Sequence, residues 1–379
     1  MKRFENPILV TRPYLPNIEE FKKGIEQIWH NQWLTNNGPM VQAFSAAIAE
    51  YMGVSKENIA LFNNGTLALE LGYYAMGLSG GEVVTTPFTF VATSHALKRI
   101  GAVPVFADVD PLTCCLSPEM AEMKITSRTK AIVPVHVYGN VCDVEGFQHL
   151  SDRYGVKIIY DAAHSFAVTK GQVGEKGGVV LGDDHASIGA AGDMSMFSFH
   201  PTKLFHSCEG GLLVFRDSAL QQKLFDLRNF AIHSELECVD VGSNAKMNEL
   251  QALMGLCCLK KMDELLSWRH QVAKAYAEVF AGSRVQWMGM SANDAYCPIL
   301  LESFTMREKV YNELKDRCNV FSRRYFYPLL TDFAPYAYGK GSCPIAEDLS
   351  CRVLTLPTYY GLTTEDARSI AENVLEIVG

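Results

Sequence analysis

The stretch FSFHPTKLFHSCEGG, residues 197–211, holds one lysine, Lys203, in an apolar and hydroxyl-rich run that closes on two glycines. With the preceding Met194-Ser195-Met196 it reads as a strand, so Lys203 lies just past a strand end, near Ser198, Thr202 and Ser207. A lysine among hydroxyls and aromatics is desolvated, which favours the neutral amine that attacks a carbonyl. A generic loop lysine is solvated and inert, so Lys203 needs support from elsewhere in the chain.

Two other strand ends supply it. In VKIIYDAAHSF (156–166), Asp161 terminates an almost purely apolar strand. An isolated buried carboxylate is costly unless a cation or donors meet it. The plain alternative is a helix cap, but Ala162 and Ala163 leave room for a flat group to approach. In FNNGTLALELGYY (62–74), Asn64-Gly65-Thr66 is a turn followed by strong helix formers. The unpaired N–H groups of a helix start can seat a phosphate, although Thr66 also reads as a simple N-cap. Phe90, in TTPFTFVAT (85–93), is an aromatic that could stack on a ring or fill the core.

Working outward, short β-branched runs alternate with helical ones through the first two-thirds of the chain. Amphipathic segments at 18–30 and 41–51 precede strands in IALF, EVVTTPFTF, PVFADVD, KAIVPVHVYG and VKIIYDAAH, with helices between them such as 144–154. This is the pattern of an α/β fold whose mostly parallel sheet is covered on both faces and binds ligands at its carboxyl edge. After Asn248 the pattern changes. One long helical run, 249–280, is expected, then strands near 296–301 and 320–325 and helices at 306–318 and 364–378. The division expected is 1–248, an N-terminal segment with the large domain, and 249–379, a smaller α+β domain.

Composition narrows the function. The 379 residues are 48% hydrophobic with a net charge of −8 and no run of five or more basic residues, which argues against nucleic acid as a partner. The eleven cysteines include two adjacent pairs, show no CxxC spacing and follow a start, MKRFENPILV, unlike a signal peptide. Reduced, mostly buried thiols in a cytoplasmic protein are therefore expected, with no metal. No apolar run nears the roughly 20 residues of a membrane span.

A phosphate seat, a buried aspartate and a desolvated lysine at sheet ends are together what pyridoxal phosphate requires. Lysine forms the Schiff base, aspartate keeps the ring nitrogen protonated, and a helix start holds the phosphate. The rivals fare worse. A nicotinamide oxidoreductase lacks its GxGxxG after the first strand. A Schiff-base aldolase has no need of Asp161, and an inert regulator on the same fold would be expected to have lost the lysine or aspartate.

TNNGP, NNGTLAL, PFTFVAT, PVHVYG, YDAAHSF, FSFHPTK, CEGG and GSNAKMNELQA follow one another in an order that resembles the DegT/DnrJ/EryC1/StrS sugar aminotransferases. The resemblance implies the type I (aspartate aminotransferase) fold and pyridoxal 5'-phosphate as cofactor. It makes Lys203 the cofactor-bearing lysine and proton shuttle, Asp161 the partner of the ring nitrogen, His164 a neighbour of the ring hydroxyl and Phe90 the stacking ring. Gly65, Thr66 and Ser198 would hold the phosphate, joined by Asn244 or Lys246 of a second subunit in a homodimer with shared sites. Tyr325 and His233 are candidate substrate contacts.

The implied reaction moves an amino group from L-glutamate to a nucleotide-linked keto-sugar. The acceptor expected is dTDP-4-keto-6-deoxy-D-glucose, aminated at C4, for O-antigen or related polysaccharide. A 3-aminotransferase on a dTDP-3-keto-6-deoxyhexose is the alternative. A dehydratase is disfavoured because the family's dehydrating members carry histidine where Lys203 stands. Two departures from the family pattern are Ala167, where glycine is frequent, and a long connection at 171–193.

Overall fold

The computed structural model describes residues 1–169, 187–289, 291 and 293–379; residues 171–186 of the long connection before Phe197 lie outside them. The first eight strands are β1 (Ile8–Leu9), β2 (Ile59–Phe62), β3 (Glu82–Thr85), β4 (Val103–Phe106), β5 (Thr129–Val133), β6 (Lys157–Asp161), β7 (Met194–Ser198) and β8 (Gly211–Phe215). Seven of them form one sheet in the order β2-β8-β7-β6-β5-β3-β4. β8 is antiparallel to both neighbours, and the remaining pairs are parallel. The fold is thus α/β with a large, mostly parallel sheet, as the alternation of short strands and helices predicts.

Side-chain alternation explains why both faces are covered. Ile59, Leu61, Val84, Ile132, Ile158 and Leu212 enter one apolar cluster with helices Pro39–Met52, Val144–Tyr154 and Glu249–Leu259. Their neighbours Ala60, Phe62, Val83, Ala131, Ile159 and Leu213 enter another with helices Gly65–Ala75, Ala92–Arg99 and Leu220–Leu227. Successive residues of a strand point to opposite faces, so each strand feeds both cores and reads as a continuous apolar run.

The later strands are β9 (Ile232–Ser234), β10 (Glu237–Cys238), β11 (Gln286–Trp287), β12 (Cys297–Leu300), β13 (Val320–Phe321) and β14 (Val353–Leu356). β9 and β10 pair as an exposed hairpin, and β11-β12-β14 make an antiparallel sheet. A third core joins Val272, Tyr276, Ile299, Leu354, Ile370 and Val374. Phe4 belongs to it, and β1 pairs in parallel with β13, so the first residues pack among C-terminal elements.

Two expectations about elements change. The helical run 249–280 is two helices, Glu249–Leu259 and Met262–Phe280, because Lys261 leaves helical geometry at φ −111, ψ 8. The apolar spacing continues across the break and conceals it. The strand expected over 320–325 is only Val320–Phe321; beyond it Arg323 exchanges backbone hydrogen bonds with Thr355 as an isolated bridge. All eleven cysteines are free thiols. No helix among the described residues is long and apolar enough to cross a membrane, and no group of three or more His, Cys, Asp or Glu is placed to hold a metal.

Candidate active site

Parallel strands deliver their carboxyl ends to one edge, and there a cavity of about 250 Å³ opens. Gly65 and Thr66 follow β2, Phe90 follows β3, Asp161 and His164 close β6, and Ser198 and Lys203 close β7; all line the cavity, with Tyr325 from beyond β13.

The helix start after β2 is capped by Asn64, whose Oδ1 accepts the Leu67 N–H at 2.8 Å. Thr66 is therefore not the cap, and its hydroxyl remains available to the cavity. A Cβ on Gly65 would come within 3.1 Å of Ser198 Cβ and 3.2 Å of Met196 Sδ. A Cβ on Gly211 would meet Asn64 O at 2.5 Å. These glycines let the helix start press against the end of β7, so that backbone N–H groups and two hydroxyls face one small volume.

Asp161 is 5% exposed and its two oxygens have separate partners. Thr93 Oγ1 donates to Oδ2 at 2.7 Å, and the Ala163 N–H donates to Oδ1 at 3.1 Å. Burial pushes its pKa above the usual carboxylate value, against the opposing effects of Thr93, Ala163 and Lys203. It ends a strand and caps no helix.

Lys203 lies in the turn between β7 and β8, its N–H bonded to His200 O at 2.9 Å and its Nζ donating to the Tyr296 hydroxyl at 3.4 Å. Burial lowers its pKa; Tyr325 and Asp161 oppose this and Arg323 reinforces it. His164 Nδ1 accepts the Tyr138 N–H at 3.1 Å, and its ring lies 4.4 Å from that of Tyr296. Burial holds His164 well below its ordinary pKa, so the imidazole is neutral and that nitrogen is an acceptor. Phe90 is 57% exposed, so it is no core residue and sits on the open side of the cavity.

Three expected residues are not brought here within one chain. Asn244 bridges to Asn229. Lys246 Nζ donates to Asn229 Oδ1 at 2.6 Å and lines a different cavity with Asn36, Asn37 and Arg228. His233 is exposed on the β9–β10 hairpin and pairs with Asp226 at 3.0 Å. Conversely, Thr93, Tyr296, Arg323, His200 and Glu209 take part without having been anticipated. Thr93 and Tyr296 lie far from Asp161 and Lys203 in sequence and carry no local signal. The unassigned His206-Ser207-Cys208 shapes the lysine turn. His206 Nε2 bonds to Tyr14 O at 2.6 Å, and Ser207 Oγ donates to Glu209 O at 2.8 Å.

This donor set fits pyridoxal phosphate. A glycine-dependent cradle of N–H and hydroxyl donors suits a dianion, a buried carboxylate suits a pyridinium, and a desolvated amine suits an aldehyde carbon. Ala167 has a left-handed backbone at φ 67, a conformation that glycine adopts more readily. Of the long connection, Ser187–Asp193 are described, with Ile188 buried against β7 and β8.

The chain is similar to known proteins along its whole length. The chain is 40% identical to a dTDP-4-amino-4,6-dideoxy-D-glucose transaminase of Shigella dysenteriae, over 98% of this chain and all of that one. An Escherichia coli protein of the same name is 36% identical over 98% and 99% of the two chains. A crystal structure of DesI in the presence of its TDP-sugar product superposes with a TM-score of 0.89 at 32% identity, covering 100% of this chain and 95% of the other. Residues 17–375 match a family of aminotransferases whose cofactor is pyridoxal phosphate. The chain belongs to the DegT/DnrJ/EryC1/StrS aminotransferase family.

Proposed function

We propose that this enzyme transfers the amino group of L-glutamate to C4 of dTDP-4-keto-6-deoxy-D-glucose, giving a 4-amino sugar for O-antigen or similar polysaccharide in the cytoplasm. The observation that carries the nitrogen chemistry is the meeting of Lys203, Asp161 and the Gly65-Thr66-Ser198 cradle in one cavity. The sugar and the C4 position rest on the full-length similarity to two transaminases named for that product.

Bound pyridoxal phosphate supplies an electron sink for the carbon that loses its proton. Gly65, Thr66 and Ser198 would hold the phosphate of the cofactor. Asp161 would pair with the ring nitrogen and keep a proton on it, and Thr93, by donating to the carboxylate, opposes protonation of Asp161. Neutral His164 would serve as a neighbour of the bound ring, and Phe90, on the cavity wall, would help to keep water from it. Lys203 would hold the cofactor through its Nζ and, once freed from it, would serve as the base that moves a proton from the amine-bearing carbon of glutamate and, in the second half-reaction, as the acid that supplies one to C4 of the sugar. Tyr296 holds that amine in reach.

A homodimer with shared sites completes this reading. On the segment 230–241, Leu236 is 99% exposed and Val241 81%, with Phe230, Ile232 and Val239 also open. So many uncovered apolar side chains on one hairpin fit a surface that a second copy covers. Asn244 or Lys246, which follow the hairpin, would then reach the partner's phosphate.

The test is purified protein with pyridoxal phosphate and L-glutamate, offered dTDP-, GDP- and UDP-linked keto-sugars, with NMR of the product. A dTDP-sugar aminated at C4 is expected. Amination at C3, or preference for another nucleotide, would replace the assignment. Protein that stays colourless with added cofactor would remove the whole reading.

A further inference from the structure

Asn293 is 1% exposed and lies behind His164 rather than on the cavity wall. Its Nδ2 donates to His164 O and to Phe166 O, each at 2.9 Å, and its Oδ1 accepts the Ala295 N–H at 3.2 Å. A short planar amide, with two donors and an acceptor, matches these three partners. A carboxylate would set oxygen against two carbonyls, and an apolar side chain would leave buried backbone groups unpaired. The space around it is close-fitting. Gly139 has φ 95, and a Cβ there would collide with Asn293 Oδ1 and come within 3.1 Å of His164 O.

The same amide fixes the approach to Tyr296. The Ala295 N–H is held by Asn293 and its carbonyl by Arg269, whose Nη1 donates at 2.9 Å from a buried side chain. Tyr296 follows at once, and Cys297 begins β12, which pairs with β14. With both flanks anchored, the tyrosine ring rests 4.4 Å from the His164 ring, and its hydroxyl receives Lys203 Nζ at 3.4 Å. His164 is pinned in turn by the Tyr138 N–H on its Nδ1.

We infer that Asn293 is a positioning residue for the proton transfers at Lys203, and that it acts by anchoring Tyr296 to the His164 segment. The inference rests on the transamination reading above and adds to it the residue that sets the geometry of the amine. Asn293 and His164 are 129 residues apart in sequence, so this one amide joins the turn after β6 to the entry of β12. Small misplacements of reacting groups cost rate steeply, and a partner of the amine held on one side only would be free to swing.

Two measurements test it. In cofactor-free protein, N-acetylimidazole acetylates accessible tyrosine hydroxyls, which mass spectrometry locates. Tyr296 of Asn293→Ala should react about tenfold faster than that of wild type, as loss of a buried hydrogen-bonded anchor predicts, while fully buried Tyr276 stays unmodified in both. In cofactor-loaded protein, the single-turnover reaction with L-glutamate is followed by absorbance in a double-mutant cycle with Tyr296→Phe. Asn293→Ala should lower the limiting rate about tenfold where Tyr296 is present and within about twofold in Tyr296→Phe, with the apparent Kd for glutamate within about twofold throughout. Asn293→Ser, which keeps one donor, should recover part of the rate, and it carries the same cycle if the alanine variant does not fold. Equal losses in both backgrounds, a loss confined to Kd, or a Tyr296 as protected in the variant as in wild type overturns the inference. A wild-type enzyme that does not react with glutamate overturns instead the function proposed above.

Discussion

Thr93 Oγ1 donates to Asp161 Oδ2 at 2.7 Å, joining the start of the helix after β3 to the end of β6. Without that bond the buried carboxylate would keep only the Ala163 N–H and the charge of Lys203 to oppose its protonation. Thr93→Val should weaken pyridoxal phosphate binding about tenfold or more, while Thr93→Ser should restore it, since a hydrogen bond to a charged group contributes about 1.5–3 kcal/mol. An absorbance titration checks this; equal affinity in the valine variant would detach Thr93 from the site.

The buried amine of Lys203 makes stability depend on pH. Its pKa is lower in the folded chain than in the unfolded one. Below the folded value both states bind the proton and the native state bears the full desolvation penalty. As pH rises from that depressed value to the unfolded lysine value of about 10.4, the unfolded chain binds more protons, so native stability rises. For cofactor-free protein, the Tm difference between wild type and Lys203→Met should therefore shift in favour of wild type across the alkaline range. A difference that stays flat with pH would show that Lys203 is not desolvated.

The proposed sharing of sites between subunits predicts complementation. Lys203→Ala should leave no borohydride-trapped pyridoxyl group and no transfer activity. An Asn244→Ala,Lys246→Ala double variant should be impaired because it fails its partner's phosphate. Subunits of the two, mixed and re-associated, should regain activity, because each heterodimer has one site with Lys203 from one subunit and intact Asn244 and Lys246 from the other. No regain on mixing would confine the site to a single chain.

The Gly65 position tests the phosphate seat. In Gly65→Ala the new methyl would press on Ser198 Cβ and Met196 Sδ, at 3.1 and 3.2 Å. Crowding of this kind costs about 1–3 kcal/mol. The loss should fall on both Tm and cofactor affinity, and free pyridoxal, lacking the phosphate, should lose less affinity than pyridoxal phosphate. If both ligands weaken alike, the phosphate lies elsewhere.

Much of this was legible in the chain itself. Short β-branched runs separated by helices determine a covered parallel sheet, because such strands must bury both faces, and such a sheet gathers its carboxyl ends. Gly65, Thr66, Asp161 and Lys203 stood out because each lies at a strand end or in the turn after one, whereas the roles of His164 and Ser198 came only from the family resemblance. The break at Lys261 was not legible, since apolar spacing runs through it.

What tertiary structure alone decided is which distant groups meet. Arg323 and Arg324 are the same residue type in consecutive positions, and nothing local tells them apart. Glu308, one helix away, neutralises one and leaves the other facing the cavity. Thr93 and Tyr296 become partners of Asp161 and Lys203 only once the sheet and the C-terminal elements close on each other. Lys246 and His233 show the converse, because polar side chains near a motif pair with whatever neighbour the packing offers, here Asn229 and Asp226. Periodicity carries the burial pattern along the chain, whereas hydrogen bonds and charges act over a few ångströms and depend on contacts that only folding creates.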